Sequence, residues 1–179
     1  MDNLEHKKYP IGKFEIPNNI SDIDIDDNTK ILKNFPSKLK NLVEDWNDEQ
    51  LDTQYREGGW TVRQLVNHLS DSHMNSYIRF KLALTENNPT IKPYDEAAWA
   101  ELQDSRNMPI EPAIQILKGL HKRWVKELKS LTNREFDEST FFHPEQQKSI
   151  TLRESLAFYA WHCDHHYAHI ENLKKEKGW

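Results

Sequence analysis

The sequence has a single cysteine, Cys163, which excludes an intrachain disulfide and any zinc site built on several cysteines. No stretch approaches the roughly 20 consecutive apolar residues of a membrane-spanning helix. The opening residues, MDNLEHKKYPIGKF, lack the apolar stretch of a secretory signal, so a cytoplasmic protein is expected. Basic runs are missing too. The 24 Lys and Arg stand against 29 Asp and Glu, a net charge of −5, which argues against nucleic acid as a partner. Glycine is scarce, at 5 of 179 residues, and the long segments between turn signals have helical period. Several catalytic signatures are also absent. There is no HExxH, which excludes a thermolysin-like zinc site, and no Glu-x-x-His, which argues against a di-iron bundle. Neither GxGxxG nor a P-loop is present, so nucleotide binding by those routes has no support.

What is present is one domain's length of chain, covering residues 1–179. Mean hydropathy is low, at −0.90, yet 11% aromatics with 6 Trp supply enough large side chains for a folded core. Residues 1–27 are polar and turn-rich and read as an extended arm lying on the domain. A first helix is expected from Asn28 to Trp46, carried by Ile31, Phe35, Leu39, Leu42 and Trp46, with a kink or break at Pro36. A second begins at the capping box Thr61-Val62-Arg63-Gln64 and ends near Glu86. A long connection, Asn87 to Glu111, holds a short helical piece around Asp95–Leu102. A third helix starts at Pro112 and runs to Leu131, with one further turn over Thr132–Phe136. Phe141–Pro144 and Lys148–Ile150 read as a small hairpin. The capping box Thr151-Leu152-Arg153-Glu154 then opens a last helix to about Lys175. Four long amphipathic helices with one long crossover make an all-α four-helix bundle. Trp46, Trp124 and Trp161 are expected in its core, and Lys122-Arg123 and Lys174-Lys175 on solvated faces.

Four of the 9 histidines, His162, His165, His166 and His169, fall within eight residues of the last helix. Residues four apart on a helix lie one above the other, so two imidazoles can reach one metal ion. His162/His166 and His165/His169 both satisfy that spacing. The apolar stripe Leu152, Leu156, Tyr159, Cys163, His166, Ile170 and Leu173 includes His166. At about 100° per residue His162 lies roughly 70° from its centre and His169 roughly 90°, with His165 on the outside. The inner pair is therefore His162 and His166. Catalytic zinc takes three protein ligands and keeps one open position, so a third histidine is expected from a facing helix. The second helix offers His68, on the flank of its apolar face, and His73, near the centre. Spacing does not separate them. His6, His121 and His143 read as ordinary hydrogen-bonding histidines, and Cys163 as a small buried hydrophobe.

These residues resemble the YfiT group of the DinB-like superfamily, bacterial metal-binding helical bundles described as metal-dependent hydrolases, with bacillithiol S-transferases among related members. The matching stretches are YPIGKF, LDTQYREGGWTVRQLVNHLSDSHMNSYIRFKLALTE, IKPYDEAAW, FFHPE and WHCDHHYAHI, spanning nearly the whole chain. The resemblance implies an up-down-down-up bundle with a three-histidine metal site. Its first ligand lands on His68 and the other two on His162 and His166, with His165 or His169 as possible replacements. It also implies zinc or nickel, zinc first, and a cytoplasmic homodimer.

Three neutral imidazoles leave the ion its charge and a vacancy. Water there would have its pKa lowered to about 7 for hydrolysis, and a thiol would be held as thiolate for transfer to a small electrophile. The ligands alone do not choose between these reactions, nor between them and a structural ion in a non-catalytic stress-response bundle. Asp71, His73, Asn75, Arg79 and Tyr159 are the candidates for supporting ligands, contacting substrate or moving protons. A small-molecule substrate, with a possible thiol cosubstrate, is the expected partner, with no nucleic acid and no membrane.

Overall fold

The computed structural model describes residues 3–179, so Met1 and Asp2 of the expected arm lie outside the described residues. The arm is not wholly extended. It opens with α1 (Asn3–Lys8), and the chain then runs without helix until α2 (Asp22–Val43). That start precedes the expected Asn28 because Ser21 and Asp24 form a capping box. The Ser21 amide donates to the Asp24 carboxylate at 2.7 Å and the Asp24 amide to Ser21 Oγ at 3.3 Å. The acidic run DIDIDD looks like a solvated arm, yet carboxylates in a first turn favour the positive helix end. The helix ends at Val43 rather than Trp46.

Pro36 does not break α2. Proline lacks the N–H that would bond to the carbonyl four residues back, at Leu32. That buried carbonyl receives His121 Nδ1 instead, at 2.6 Å. A non-local partner thus satisfies the carbonyl that the proline orphans, removing that part of the cost of a proline in mid-helix.

The single turn α3 (Asp48–Leu51) was not among the expected helices, although Asn47 and Gln50 form a capping box there, whereas α4 (Val62–Thr85) begins at its expected Thr61/Gln64 box. The crossover carries two short pieces, α5 (Glu96–Ala100) and α6 (Gln103–Asn107), where one was expected. α7 (Glu111–Leu128) follows, then α8 (Asn133–Glu138), capped by Thr132 and Glu135. The hairpin is β1 (Thr140–His143) and β2 (Lys148–Thr151), antiparallel, with Phe141 opposite Ile150. It is fastened to the crossover, since the Ile91 amide donates to the Phe142 carbonyl at 3.1 Å. α9 (Leu152–Lys177) starts on its Thr151/Glu154 box and stops at Gly178, whose φ of 71° favours glycine.

Contacts between side chains fix the topology. Lys81 near the end of α4 meets Glu127 near the end of α7 at 2.8 Å, so these two neighbours run parallel. Arg153 at the start of α9 meets Asp22 at the start of α2, so that pair is parallel too. By contrast His68 of α4 faces His166 of α9, and His73 faces His162, which is antiparallel. α2 packs on α7 and α9, and α4 on the same two. The bundle is therefore up-down-down-up, with the long crossover joining the parallel α4 and α7. Phe35, Phe80, Leu117, Trp124 and Leu156 are sealed in its core. Trp46 and Trp161 are not. Trp46 is partly buried with its ring edge-on to Trp179, and Trp161 packs on the outer side of α9 beneath the arm.

Candidate metal centre

α4 and α9 cross where each carries histidine. On α9 the four-residue spacing stacks His162 over His166, leaving their Nε2 atoms 3.2 Å apart. Two nitrogens on one tetrahedral zinc ion, each about 2.0–2.1 Å from it, would stand about 3.3 Å apart. The third ring comes from α4. His68 lies 5.5 Å from His162 and 5.1 Å from His166 between ring centroids. One nitrogen from each ring falls within 4.8 Å of the others. All three are buried, and that burial holds the His68 pKa down at about 4 and pushes His162 and His166 well below the usual range, with their neighbouring rings adding to the effect. They are therefore neutral, with lone pairs available, which is the donor set a divalent cation requires. Among the described residues no fourth His, Cys, Asp or Glu joins this group. Cys163 is buried away from it, and burial pushes its thiol well up, so it stays protonated.

A cavity of about 500 Å³ gives access. His68, His162 and His166 line it together with Trp60, Tyr159 and Arg79. The sequence candidates now separate. Tyr159 stands in the wall, its hydroxyl donating to the Ser72 carbonyl at 3.2 Å, and burial raises its pKa so that it remains a donor. Arg79 also faces the cavity. Asp71 instead faces Asp104 of α6, and burial, then that like charge, raises its pKa to about 6. Asn75 donates to the Asp71 carbonyl within its own helix, at 2.9 Å. His73 is completely buried and turned inward, so the choice that spacing left open resolves into two places: His68 at the cavity and His73 in the core behind it.

Three histidines stand where the sequence did not put them. His143 lines the cavity, buried, with Nδ1 unpartnered. The signal was available, because in TFFH the period of two puts His143 on the same face as buried Phe141. His165, expected outside, is buried too, as is His169. A helical wheel knows only the bundle core, and here the arm and the connection between α3 and α4 cover the opposite side. Trp161 stacks on His165 at 4.4 Å, Tyr9 lies 6.2 Å from it, Tyr55 covers His169 at 4.3 Å, and Lys7 pairs with Glu176 at 2.7 Å.

His165 and His169 form a second possible group with His166, their own Nε2 atoms 3.1 Å apart. Both groups claim His166, and a neutral imidazole has one lone pair to give. The two are alternatives for a single ion. All of the first group lines the cavity, whereas His169 lies outside it, against Tyr55.

The four-helix arrangement is not peculiar to this chain. The family profile described as DinB superfamily matches residues 31–170. The chain belongs to the DinB superfamily. Among its curated relatives in that superfamily, a protein of Oceanobacillus iheyensis is 52% identical over 97% of this chain and 99% of its own length. YfiT of Bacillus subtilis is 50% identical over 96% of each chain. Both are named "Putative metal-dependent hydrolase". A solved structure of Bacillus subtilis YfiT superposes with a TM-score of 0.94 at 49% identity, covering 97% of this chain and 99% of that one. Its description is of "a probable metal-dependent hydrolase with an unusual four-helix bundle topology".

Proposed function

We propose that this DinB-superfamily chain is a metal-dependent enzyme that hydrolyses a small substrate at an ion held by His68, His162 and His166. The observation that carries the reading is the convergence of three buried, neutral imidazoles on the wall of a cavity of about 500 Å³ without a fourth protein donor in the group. A structural zinc ion is closed by four protein ligands, whereas a three-ligand set leaves a position open. The names of its relatives favour hydrolysis. Zinc is the first choice of ion and nickel the second, because imidazole suits both. Bound there, the ion supplies Lewis acidity and acidifies whichever protic molecule takes its open position, water for hydrolysis or a thiol such as bacillithiol for S-transfer.

The chain's own residues do the rest. Trp60 and Phe158 line the cavity with apolar surface, which strengthens the electrostatics inside. The Arg79 guanidinium offers a fixed positive charge to an anionic or carbonyl group of the substrate. Tyr159, kept protonated with its one hydroxyl proton given to the Ser72 carbonyl, presents an acceptor oxygen in the same wall. The proposal extends to a cytoplasmic homodimer, supported by the family resemblance; no helix of the described residues is long and apolar enough to cross a membrane.

The test uses untagged protein. Metal analysis and zinc or nickel titration should give one ion per chain, and His166→Gln should abolish it while leaving the helical signal intact. Esterase and amidase panels run beside thiol conjugation to electrophiles should then find a metal-dependent activity in one set. Absence of any metal binding would overturn the site. Loss of fold together with the metal would make the ion structural, and silence in both panels would remove the enzyme claim.

A further inference from the structure

We infer that His121 and His73 form a one-way hydrogen-bonded chain that fixes the tautomer and aim of His162, presenting its Nε2 lone pair to the His68/His166 side. The functional half of this inference rests on the metal site proposed above; the hydrogen-bond half does not.

The chain begins at Pro36. Because proline has no N–H, the carbonyl of Leu32 is left without its helical partner, and His121 Nδ1 approaches it to 2.6 Å. A carbonyl oxygen only accepts, so the His121 proton sits on Nδ1. The ring is buried and neutral, with one donor and one acceptor, and Nε2 is therefore its acceptor. His73 Nδ1 lies 2.7 Å from that atom and must donate to it. His73 then has only its Nε2 lone pair left. His162 Nδ1, 3.2 Å away, must donate to that lone pair. The last free position in the chain is His162 Nε2, which stands 3.2 Å from His166 Nε2 at the candidate centre. Every step has one solution, and the direction is set by an oxygen that can never donate.

The same logic excludes a proton wire. One end of the chain is a carbonyl with no proton to exchange, and His121, His73 and His162 are all buried. What the chain supplies is orientation. Phe35 holds two of the rings, stacking on His73 at 5.8 Å and His121 at 5.9 Å, and those rings lie within 12° of parallel. The partner at a ligand's second nitrogen normally selects which nitrogen faces the ion. In water, neutral histidine favours the Nε2–H form, which would block binding through Nε2. Here the core reverses that preference before any ion arrives. His166 has no equivalent support, since its Nδ1 is buried without a partner. His162 is thus the pre-aimed ligand, and His121 and His73 are positioning residues.

The decisive measurement is on metal-free wild-type protein labelled with ¹⁵N-histidine. Long-range ¹H–¹⁵N correlation spectra should show His121, His73 and His162 each as a single Nδ1–H species. An Nε2–H form or a mixture at His73 or His162 overturns the inference, whatever the metal site does. A second arm measures zinc affinity by competition with a chelating dye. His121→Phe keeps the ring volume but removes both nitrogens, and should weaken zinc by about 10–100-fold. His121→Gln restores an acceptor for His73 and should recover most of that loss. Equal affinity in the two variants would refute the positioning role. A wild type with the stated tautomers but no zinc affinity would instead remove the metal reading and leave the hydrogen-bonded chain standing. Should His121→Phe fail to fold, the wild-type spectrum decides.

Discussion

Lowering the pH of the metal-free protein from 7.5 sets the buried histidines against the fold. Burial holds His68, His121 and His165 at pKa values of about 4 and His169 at about 3, against an ordinary 6.5. His73, His162 and His166 move further in the same direction. With folded values below unfolded ones, the unfolded chain binds more protons between these limits, and stability falls as pH falls. The full stability is present above about pH 6.5. At pH 5.5 each of the three rings at about 4, and His169 at about 3, has lost about 1.4 kcal/mol, so these four together lose about 5–6 kcal/mol. That is comparable with the whole stability of an ordinary domain, about 5–15 kcal/mol. Half-unfolding is therefore expected between about pH 5 and 6, above the ordinary carboxylate range, with Asp71, raised to about 6, offsetting a small part of the loss. Urea unfolding followed by tryptophan fluorescence and far-ultraviolet circular dichroism, repeated at half-unit steps, measures it. A urea midpoint unchanged from pH 7.5 to 5 would refute the reasoning, because it would mean that the rings do not resist protonation.

Zinc at 100 times its dissociation constant should add about 2.7 kcal/mol and raise the melting temperature by about 5–10 °C, a shift that His68→Gln should erase in a calorimetric scan. Phe35→Ala removes a sealed aromatic that backs both His73 and His121 and should lose about 3–5 kcal/mol in urea unfolding. Asp52→Ala leaves the buried Arg63 without its 2.6 Å partner, while the bond to the Met108 carbonyl at 3.0 Å remains. A loss of about 1–3 kcal/mol is expected by the same assay, and Asp48→Ala, at an exposed carboxylate, should lose less.

How far the sequence could be read depended on the range of each interaction. The caps at Thr61, Thr132 and Thr151 are satisfied within three residues, and helices start at all three. The cap at Ser21 obeys the same rule with Asp in place of Glu, inside a polar, turn-rich stretch that reads as an arm. His162 and His166 were legible as a pair because helical spacing alone stacks them. His68 and His73 were not separable by spacing, since both face the bundle and only the neighbouring helices distinguish cavity from core. His143 was legible as buried from the alternation in TFFH, and only packing put it in the cavity wall.

By itself the sequence determined the helical periods, the capped starts and the stacking of imidazoles four residues apart, because each is settled within a turn or two of chain. Only the tertiary structure decided what surrounds them. It buried His165 and His169 beneath the arm and the connection between α3 and α4, which a helical wheel cannot represent. It also carried α2 through Pro36, because the carbonyl that proline orphans at Leu32 finds its donor 89 residues away, on His121. A hydrogen-bond donor brought from another helix leaves no trace in local periodicity, and so the environment of each histidine belonged to the packing.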